Sequence, residues 1–353
     1  MPVVKSAPTP YAKRATISDV AKRAGVAKGT VSYVLNGQSR IARISEETEQ
    51  RVFRAASELQ YKPNALARML VNRRTETLAV VFQRGYFFTS WSSFTAEVMR
   101  GVSTAAVELG YDLMLHTKDV DCDREAETLA DGRVDGVLIL RDEDDPIVSE
   151  LISQEFPCVR FFSQGADGAP FVDVDNVSGG QMATQHLIDL GHRQIGIIHG
   201  PQHSTASTDR LAGYRQAMAQ AALVVQPEWE VEIHSPMSSF EAFHRLMRSD
   251  NPPTAIFVWS DDVALACMSA LHEIGMSVPA DLSVVGFDSL EVCERSVPPL
   301  TSVRQPVMEM AHRATRILVA IIRGQEVAER QILMPLLLDI RASTAPCPLS
   351  QTL

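Results

Sequence analysis

The chain has 353 residues, of which 45% are apolar and 22% are charged, a composition typical of soluble globular proteins with two or three domains. It contains no apolar run long enough to span a bilayer, and its polar, proline-rich start (residues 1–10) lacks the apolar core of a secretory signal. We therefore expect a cytoplasmic protein that contacts no membrane. The five cysteines are scattered and form no CxxC pair, which argues against a disulfide framework or a zinc site.

Charge is divided unevenly along the chain. The formal net charge is −10, yet residues 1–74 hold 14 Lys/Arg against 5 Asp/Glu, so the excess of acid lies entirely in the rest of the chain. A basic module attached to an acidic body is the electrostatic pattern of a DNA-binding head on a sensor domain.

The basic segment begins with the pattern of two short helices. Thr16 or Ser18 can serve as the N-cap of the first, and Gly25 can end it in a left-handed conformation. A second helix is predicted from about residue 28 to residue 36, with Val31 and Val34 on its apolar face. Two such helices joined by a tight glycine turn indicate a helix-turn-helix, whose second helix enters the major groove of DNA.

A third helix is predicted after Ser45, which is a suitable N-cap because acidic residues follow in the first turn. Its apolar stripe consists of Val52, Ala55, Ala56 and Leu59. Any one of the three helices could belong to an ordinary helical bundle. Their order, together with the basic charge, favours DNA binding.

The run TISDVAKRAGVAKGTVSYVLN at residues 16–36 and the run YKPNALAR at residues 61–68 resemble the headpiece and hinge of the LacI/GalR family of transcriptional regulators. The resemblance extends to about Pro346. It implies that Lys28, Gly29 and Tyr33 read bases, although Gly29 departs from the residue with a side chain that is usual there. Lys28 can donate to guanine, and Tyr33 can contact a thymine methyl or a base edge. Phosphate contacts are then expected from Ser18, Thr30, Ser32 and Asn36.

The resemblance also implies a short hinge helix after Pro63. It spans fewer than two turns, which is too short for a helix to be stable alone. The resemblance implies that the segment folds only when paired with its dimer mate on DNA. Leu70 would then wedge into the minor groove at the operator centre. The alternative is that Leu66 and Leu70 are buried against the core. The hinge residues expected at DNA are Asn64, Ala67, Arg68 and Leu70.

From residue 77 the pattern changes to alternating strands and helices. Strands are predicted at 78–82, 112–116, 136–140, 158–162, 194–198, 255–259 and 283–287, with helices such as 94–109, 180–190, 210–221 and 262–274 between them. Continuous apolar strands between helices indicate parallel α/β sheets. The family resemblance implies a periplasmic-binding-protein-like core of two doubly wound parallel-sheet lobes, with a ligand in the cleft between them.

Candidate ligand contacts lie at the carboxyl ends of these strands, where open α/β sheets bind their ligands. The resemblance implies contacts from Arg210 and Asp288, since an arginine fork and a carboxylate suit vicinal hydroxyls. Structural pairing within the cleft wall is the alternative for both. The other expected effector contacts are Phe87, Phe88, Trp91, Trp259, Ser260 and Asp261, and core packing is the alternative for the aromatic residues.

The predicted organisation is a disordered tail (1–15), an all-α helix-turn-helix headpiece (16–61), a hinge helix and linker (62–76), the core (77–346) and a short tail (347–353). Within the core, the N-terminal lobe is expected at about 77–175 and 304–334, and the C-terminal lobe at about 176–303 and 335–346. The tail has no heptad repeat, so we expect a homodimer rather than a larger coiled-coil assembly.

The sequence thus predicts a DNA-binding regulator of a palindromic operator, controlled by a small molecule that we expect to be a sugar. No catalytic residue, metal or cofactor is expected, because the chain has no GxGxxG, GxxxxGK[ST], HExxH or GxSxG pattern. The resemblance favours a repressor; an activator or a co-repressor-dependent regulator is the alternative. A transport-associated sugar-binding protein without a DNA role is less favoured because of the basic headpiece.

Overall fold

A computed structural model of the protein describes residues 15–35, 37, 39–61, 74–83, 92–117, 122–143, 145–165, 168–233 and 239–347. The chain divides into two units, Met1–Thr75 and Glu76–Leu353. The expectations for Asn36, for the hinge residues Asn64, Ala67, Arg68 and Leu70, and for Phe87, Phe88 and Trp91 lie outside the described residues.

In its described residues, the N-terminal unit contains three helices: α1 (Ile17–Ala24), α2 (Lys28–Leu35) and α3 (Glu46–Glu58). Each contributes a fully buried valine to a small apolar core, namely Val20, Val31 and Val52. At the surface, Arg23 pairs with Glu58 at 2.6 Å. An exposed pair of this kind adds at most about 1 kcal/mol, so packing of the apolar faces holds the three helices together.

Local capping signals set the ends of these helices. Thr16, and not Ser18, is the N-cap of α1: Asp19 donates its N–H to the Thr16 hydroxyl, and the Asp19 carboxylate accepts the Thr16 N–H at 2.8 Å. This reciprocal pair satisfies two N–H groups that the helix leaves without partners. Gly25 ends α1 at φ 67°, and Ser45 caps α3. The predicted caps are therefore confirmed.

The C-terminal unit alternates strands and helices. In chain order its elements are β1 (Thr77–Phe82), α4 (Ser93–Leu109), β2 (Asp112–Leu115), α5 (Cys122–Leu129), β3 (Gly136–Leu140), α6 (Ile147–Ser153), β4 (Cys158–Phe161), β5 (Phe171–Val174), α7 (Asn176–Asp189), β6 (Ile195–His199), α8 (Thr205–Gln220), β7 (Glu230–Glu232), α9 (Ser239–Met247), β8 (Ala255–Val258), α10 (Asp261–Glu273), β9 (Ser283–Asp288), α11 (Glu291–Arg295), β10 (Thr301–Arg304), α12 (Val307–Ile322), β11 (Gln331–Met334) and β12 (Leu337–Asp339). A short 3-10 turn, Pro227–Trp229, precedes β7.

Two six-stranded sheets divide this unit into two lobes. The sheet of the N-terminal lobe has the order β11-β5-β4-β3-β1-β2 and is entirely parallel. The sheet of the C-terminal lobe has the order β12-β10-β9-β8-β6-β7. The central strands are buried along their length because helices cover both faces of each sheet. In the N-terminal lobe, α12 packs beside α4 over the apolar core.

The chain passes between the lobes three times, after β5, after β10 and after β11. The last passage explains one departure from the predicted all-parallel sheets, since β12 pairs antiparallel with β10. Strand β11 runs towards the cleft and β12 follows after only two residues, so β12 enters the second lobe from the cleft side. Strand β12 therefore runs away from the cleft, whereas the other strands of the same sheet run towards it. An antiparallel edge strand on an otherwise parallel sheet is common.

The seven predicted strands are present with ends that differ by one residue at most. Helices α7 and α8 begin four and five residues earlier than predicted; α7 does so because the Asp175 side chain caps it by accepting the Ser178 N–H. The strand predictions omit β5, β7, β10, β11 and β12, which are all three or four residues long. Within the described residues, no helix combines the length and the apolar character that a membrane span requires.

Candidate DNA interface and ligand-binding cavity

The outward face of α2 carries the residues predicted to read bases. Lys28 and Gly29 are exposed and Tyr33 is 46% exposed, while Val31 and Val34 on the other side are buried. Gly29 and Tyr33 are four residues apart, so they lie on one face of the helix. The predicted phosphate contacts Ser18, Thr30 and Ser32 are half-buried. A helix with this division of faces can enter a major groove without exposing its core.

Gly29 leaves open space on that face. A Cβ atom placed on it would meet no other atom within 4 Å, and its backbone is not in the left-handed region. Packing within the headpiece therefore does not require glycine here. Glycine inside a helix is less favourable than alanine by up to about 1 kcal/mol. Gly29 therefore lowers the stability of α2 without improving the packing of the headpiece.

A cavity of about 200 Å³ lies between the two lobes. The N-terminal lobe contributes to its wall from the segments that follow β1, β3 and β4, including Gln83, Asp142 and Ser163. The C-terminal lobe contributes Trp259, which follows β8, and Asp288, which ends β9. The cavity thus lies at the carboxyl ends of the strands of both sheets, where ligands of this class of fold bind.

Arg210 is fixed in the cavity wall. Its Nε donates to Asn176 Oδ1 at 2.9 Å, and its Nη1 donates to the carbonyl oxygen of Trp259 at 2.5 Å. Its Cζ lies 3.5 Å from the centre of the Phe287 ring. Burial lowers the pKa of the Arg210 guanidinium, and the charge of Asp288 opposes that shift. A guanidinium held in this way loses little conformational freedom when a ligand binds.

Two glycines bring α7 and α8 close enough together to place Arg210. A Cβ atom on Gly180 would lie 2.2 Å from the carbonyl oxygen of Arg210, and one on Gly213 would lie 2.1 Å from the carbonyl oxygen of Val177. Any larger residue at either position would force the helices apart. The hydrogen bond between Arg210 on α8 and Asn176 on α7 depends on this close approach.

Asp288 occupies a strained position at the end of β9. It is 5% exposed, and its carboxylate accepts a hydrogen bond from the Gln305 side chain. Its φ is 110° and that of Ser289 is 52°, values that residues with side chains rarely adopt. Burial raises the pKa of Asp288 well above its ordinary value, and the charge of Arg210 opposes the rise. Strain of this kind costs about 1–3 kcal/mol per residue and is concentrated at functional sites.

A second buried acid in the cavity wall, Asp173 on β5, was not predicted. It is 3% exposed and accepts a hydrogen bond from Gln164 Nε2 at 3.2 Å. Burial raises the pKa of Asp173 to about 7. At neutral pH this carboxyl can therefore either donate or accept a hydrogen bond.

The structure corrects the prediction for Asp261, which does not line the cavity. Its carboxylate is fully buried and accepts the N–H of Leu290 at 2.8 Å and the hydroxyl of Ser302 at 2.6 Å. Burial raises the pKa of Asp261 to about 6. The side chain ties α10 to β10 and to the loop after β9. Its neighbour Asp262 lines the cavity instead, because consecutive residues of a helix point in different directions.

Asp262 links the two lobes across the cavity. Its Oδ2 accepts the Ser92 hydroxyl at 3.0 Å and the Ser93 N–H at 3.2 Å. Both serines stand at the start of α4 in the N-terminal lobe, whereas Asp262 stands in the first turn of α10 in the C-terminal lobe. A carboxylate at a helix N-terminus is favourable because it complements the helix dipole.

Aromatic rings form an apolar part of the wall. Phe94 and Phe162 pack edge to face with their ring centres 4.9 Å apart, and both line the cavity together with Trp259. Such rings provide a flat surface for the apolar face of a ligand, while the neighbouring polar groups fix its orientation.

Three buried polar atoms of the wall find no hydrogen-bond partner among the described residues: Gln83 Oε1, Ser163 Oγ and Trp259 Nε1. Buried polar atoms are nearly always paired, so unpaired ones gathered at one cavity require an explanation. A ligand that offers both donors and acceptors would satisfy all three.

Four predicted effector contacts therefore meet at the cavity: Arg210, Trp259, Ser260 and Asp288. The sequence analysis did not predict that Asp142, Phe162 and Ser163 line the cavity. These residues follow β3 and β4, so the strand-end argument applied to β8 and β9 would also have selected them. Asp173 gave no such signal, because it lies inside a strand. Within the described ranges, no group of three His, Cys, Asp or Glu side chains is placed to hold a metal ion.

Comparison with known proteins agrees with this arrangement. Residues 16–64 match the model of the bacterial regulatory proteins of the lacI family, and residues 184–344 match that of the periplasmic binding protein-like domain. The HTH-type transcriptional regulator CelR of Thermobifida fusca is 36% identical over 94% of this chain and 98% of its own.

Two solved structures are similar along nearly the whole chain. A complex of the transcriptional regulator CelR with cellobiose has a TM-score of 0.70 and 35% identity, and covers 94% of this chain and 100% of its own. The lac repressor dimer bound to operator and the anti-inducer ONPF has a TM-score of 0.82 and 28% identity, with the same coverage. With its helix-turn-helix, its two-lobed core and these relatives, the chain belongs to the LacI family of bacterial transcriptional regulators.

Proposed function

We propose that the protein is a repressor that binds a palindromic operator as a homodimer and responds to a sugar bound between its lobes. The observation that carries the proposal is the cavity wall, where the fixed guanidinium of Arg210 lies 6.0 Å from the ring centre of Trp259 and the carboxylate of Asp288, a residue with a strained backbone, lines the same cavity. The similar CelR was solved with cellobiose, and the similar lac repressor was solved as a dimer on its operator.

On the DNA side, the proposal assigns base reading to Lys28, Gly29 and Tyr33. Their exposure on the outward face of α2 supports this assignment. Phosphate contacts are assigned to Ser18, Thr30 and Ser32, and to Asn36. The hinge residues Asn64, Ala67, Arg68 and Leu70 complete the proposed interface, with Leu70 as the minor-groove wedge.

On the ligand side, the proposal assigns the effector contacts to Arg210, Trp259, Ser260 and Asp288. Phe87, Phe88 and Trp91 are kept as further contacts, and Asp142, Asp173 and Ser163 are added because they line the same cavity. No residue is assigned a catalytic role, no cofactor or metal is involved, and the protein acts in the cytoplasm.

The proposed mechanism is thermodynamic linkage. Operator binding requires one relative arrangement of the two lobes, in which the two hinge segments of the dimer can meet. A ligand that prefers one lobe arrangement therefore shifts the affinity for DNA by the ratio of its affinities for the two states. Repression released by ligand requires that the ligand prefer the state that binds DNA weakly.

The test is selection of binding sites from random duplex DNA by the purified protein, with and without a pool of sugars. We expect an enriched palindrome that is lost when one sugar is present. Enrichment only in the presence of a sugar would replace the repressor by a co-repressor-dependent regulator or an activator. Failure of the isolated headpiece to bind any sequence would contradict the DNA-binding assignment itself.

A further inference from the structure

A buried ion pair of the N-terminal lobe lies beside the cavity. Arg141 follows β3 and borders the cavity, and Glu125 lies on α5. Both side chains are buried. The Nη1 and Nη2 atoms of Arg141 donate to the two carboxylate oxygens of Glu125 at 2.9 and 2.8 Å. A guanidinium held on a carboxylate by two such bonds is fixed in direction as well as in position.

This pair joins the carboxyl ends of three neighbouring strands. Arg141 Nε donates to the carbonyl oxygen of Phe82, the last residue of β1, at 3.0 Å. Glu125 also contacts His116, which follows β2 and whose Nε2 lies 3.2 Å from Glu125 Oε1. Arg141 Nη1 donates further to Asp145 Oδ2 at 3.1 Å. One buried cluster of charges therefore ties together the ends of β1, β2 and β3.

Two residues next to this cluster belong to the cavity wall. Gln83 follows Phe82, Asp142 follows Arg141, and both line the cavity. Gln83 Nε2 donates to Asp142 Oδ2 at 2.7 Å, and Gln83 Oε1 finds no partner among the described residues. The bond from Arg141 to the Phe82 carbonyl fixes the backbone one residue before Gln83. The same arginine fixes its own backbone one residue before Asp142.

Stability alone does not account for a buried ion pair. Taking two charges out of water costs free energy that their attraction repays only in part, so apolar side chains of similar volume often stabilise a core equally well or better. What the pair of Glu125 and Arg141 provides is a fixed geometry, because both partners stay satisfied only in one arrangement. Four hydrogen bonds already use the Nε, Nη1 and Nη2 atoms of Arg141, which leaves it little to offer a ligand.

We infer that Glu125 and Arg141 are positioning residues for effector recognition, and that they hold Gln83 in the orientation in which its unpartnered Oε1 meets the ligand. Glu125 is not among the described residues that line the cavity, so it acts through its neighbours. The inference rests on the proposed function, since it adds two residues to those that control the same site.

The experiment compares Glu125→Gln with the unaltered full-length protein. The variant keeps the size of the side chain and removes the charge that holds Arg141. In titration calorimetry with cellobiose, the sugar in the similar CelR structure, we expect at least roughly fivefold weaker binding, the scale of one buried hydrogen bond left unmade. Operator affinity without sugar should not change. The matched control Glu230→Gln breaks a two-bond pair with Arg215 outside the cavity wall, and should leave cellobiose binding unaltered.

Two further proteins separate positioning from folding. The double variant Glu125→Leu with Arg141→Met replaces the ion pair by apolar chains, a change that often preserves stability. It should fold, as denaturant unfolding would show, and still bind cellobiose weakly. Unchanged affinity in this folded protein would overturn the inference. In a Gln83→Ala background, Glu125→Gln should cost no further affinity, because its effect passes through Gln83. Additive losses would overturn the inference as well.

Absence of binding by cellobiose and by every other sugar tested would count against the proposed function, and not against the positioning role. Hydrogen exchange of the protein without ligand decides that role separately. The segments that contain Gln83 and Asp142 should exchange faster in Glu125→Gln than in Glu230→Gln or the unaltered protein. Equal exchange in all three proteins would contradict the positioning role.

Discussion

Ser92 of the N-terminal lobe donates its hydroxyl to Asp262 of the C-terminal lobe at 3.0 Å, and both residues line the cavity. Ser92 is also the N-cap of α4, whose third N–H, that of Thr95, bonds back to the same hydroxyl at 3.4 Å. One side chain thus takes part both in starting a helix of one lobe and in holding the other lobe against it. Any movement that opens the cleft on this side must break these bonds.

Replacement of Asp262 by alanine should loosen the contact between the lobes. Two hydrogen bonds to a charged acceptor are lost, so we expect a stability loss of about 1–3 kcal/mol and a measurably weaker effector affinity. Denaturant unfolding and effector titration would measure the two effects. Asp262→Asn is the matched control, because its amide oxygen can still accept from Ser92 and Ser93. If the unaltered protein, Asp262→Ala and Asp262→Asn all bound the effector with equal affinity, the contact between Asp262 and the two serines would not control cleft opening.

Replacement of Arg210 by alanine should abolish the effector response and leave operator binding without effector nearly unchanged. The change removes the fixed guanidinium from the cavity but touches no residue of the headpiece. Fluorescence anisotropy with operator DNA, at increasing effector concentration, provides the readout. Arg210→Lys keeps the charge and loses the planar fork, so it should respond only weakly. A fully responsive Arg210→Ala protein would exclude this residue from the effector site.

Replacement of Asp173 by asparagine should make stability less dependent on pH. The pKa of Asp173 is about 7 in the folded protein against 3.8 ordinarily, so the folded state binds the proton more tightly. The stabilisation from this proton is full below about pH 4 and is lost as the pH rises towards and through 7. At about 1.4 kcal/mol per pKa unit, the loss is at most a few kcal/mol. Denaturant midpoints from pH 4.5 to 8 would measure it.

The difference between the unaltered protein and Asp173→Asn isolates this residue from the other titrating groups. Their stability curves should diverge as the pH rises, with the asparagine protein relatively more stable at pH 8. Parallel curves would mean that Asp173 titrates at an ordinary pKa.

Replacement of Gly29 by alanine should stabilise the headpiece and alter DNA recognition. The added methyl group meets no atom of the protein, and the gain in helix propensity is at most about 1 kcal/mol. Hydrogen exchange of the α2 amides would report the stability, and binding-site selection would report the preferred operator. Ser57→Ala, an exposed site on α3, is the control for propensity alone. An unchanged operator preference in Gly29→Ala would remove this residue from the DNA interface.

The headpiece could be predicted in detail because its signals are local. The capping box that joins Thr16 to Asp19 and the left-handed turn at Gly25 each depend on residues within one helical turn. In the core, the resemblance to the LacI/GalR family pointed to Arg210, which lies within α8, and to Asp288, which also stands at the end of a predicted strand. The prediction for Asp261 failed because a strand-end rule does not decide which of two adjacent acids faces the cavity. That choice is made by Ser302 and Leu290, which are distant in sequence.

Asp173 and the strands β11 and β12 could not be predicted for a related reason. A single acid within a short apolar stretch resembles an edge or loop residue, and nothing local in the sequence shows that Asp173 is buried in the folded protein. Three- and four-residue strands have too little periodicity to stand out, and their pairing partners are far away along the chain. Non-local contacts therefore determine the parts of the site that the sequence pattern left open.

The three passages of the chain between the lobes also fix the order in which the protein can mature on the ribosome. The sheet of the N-terminal lobe needs β11, which ends at Met334, and its core needs α12. Neither lobe can be completed until nearly the whole chain has been synthesised, whereas the headpiece is complete by residue 61. At about 5–20 residues per second, roughly ten seconds or more separate the two events. Each nascent chain therefore carries a finished helix-turn-helix well before it acquires a cavity through which a ligand could control it.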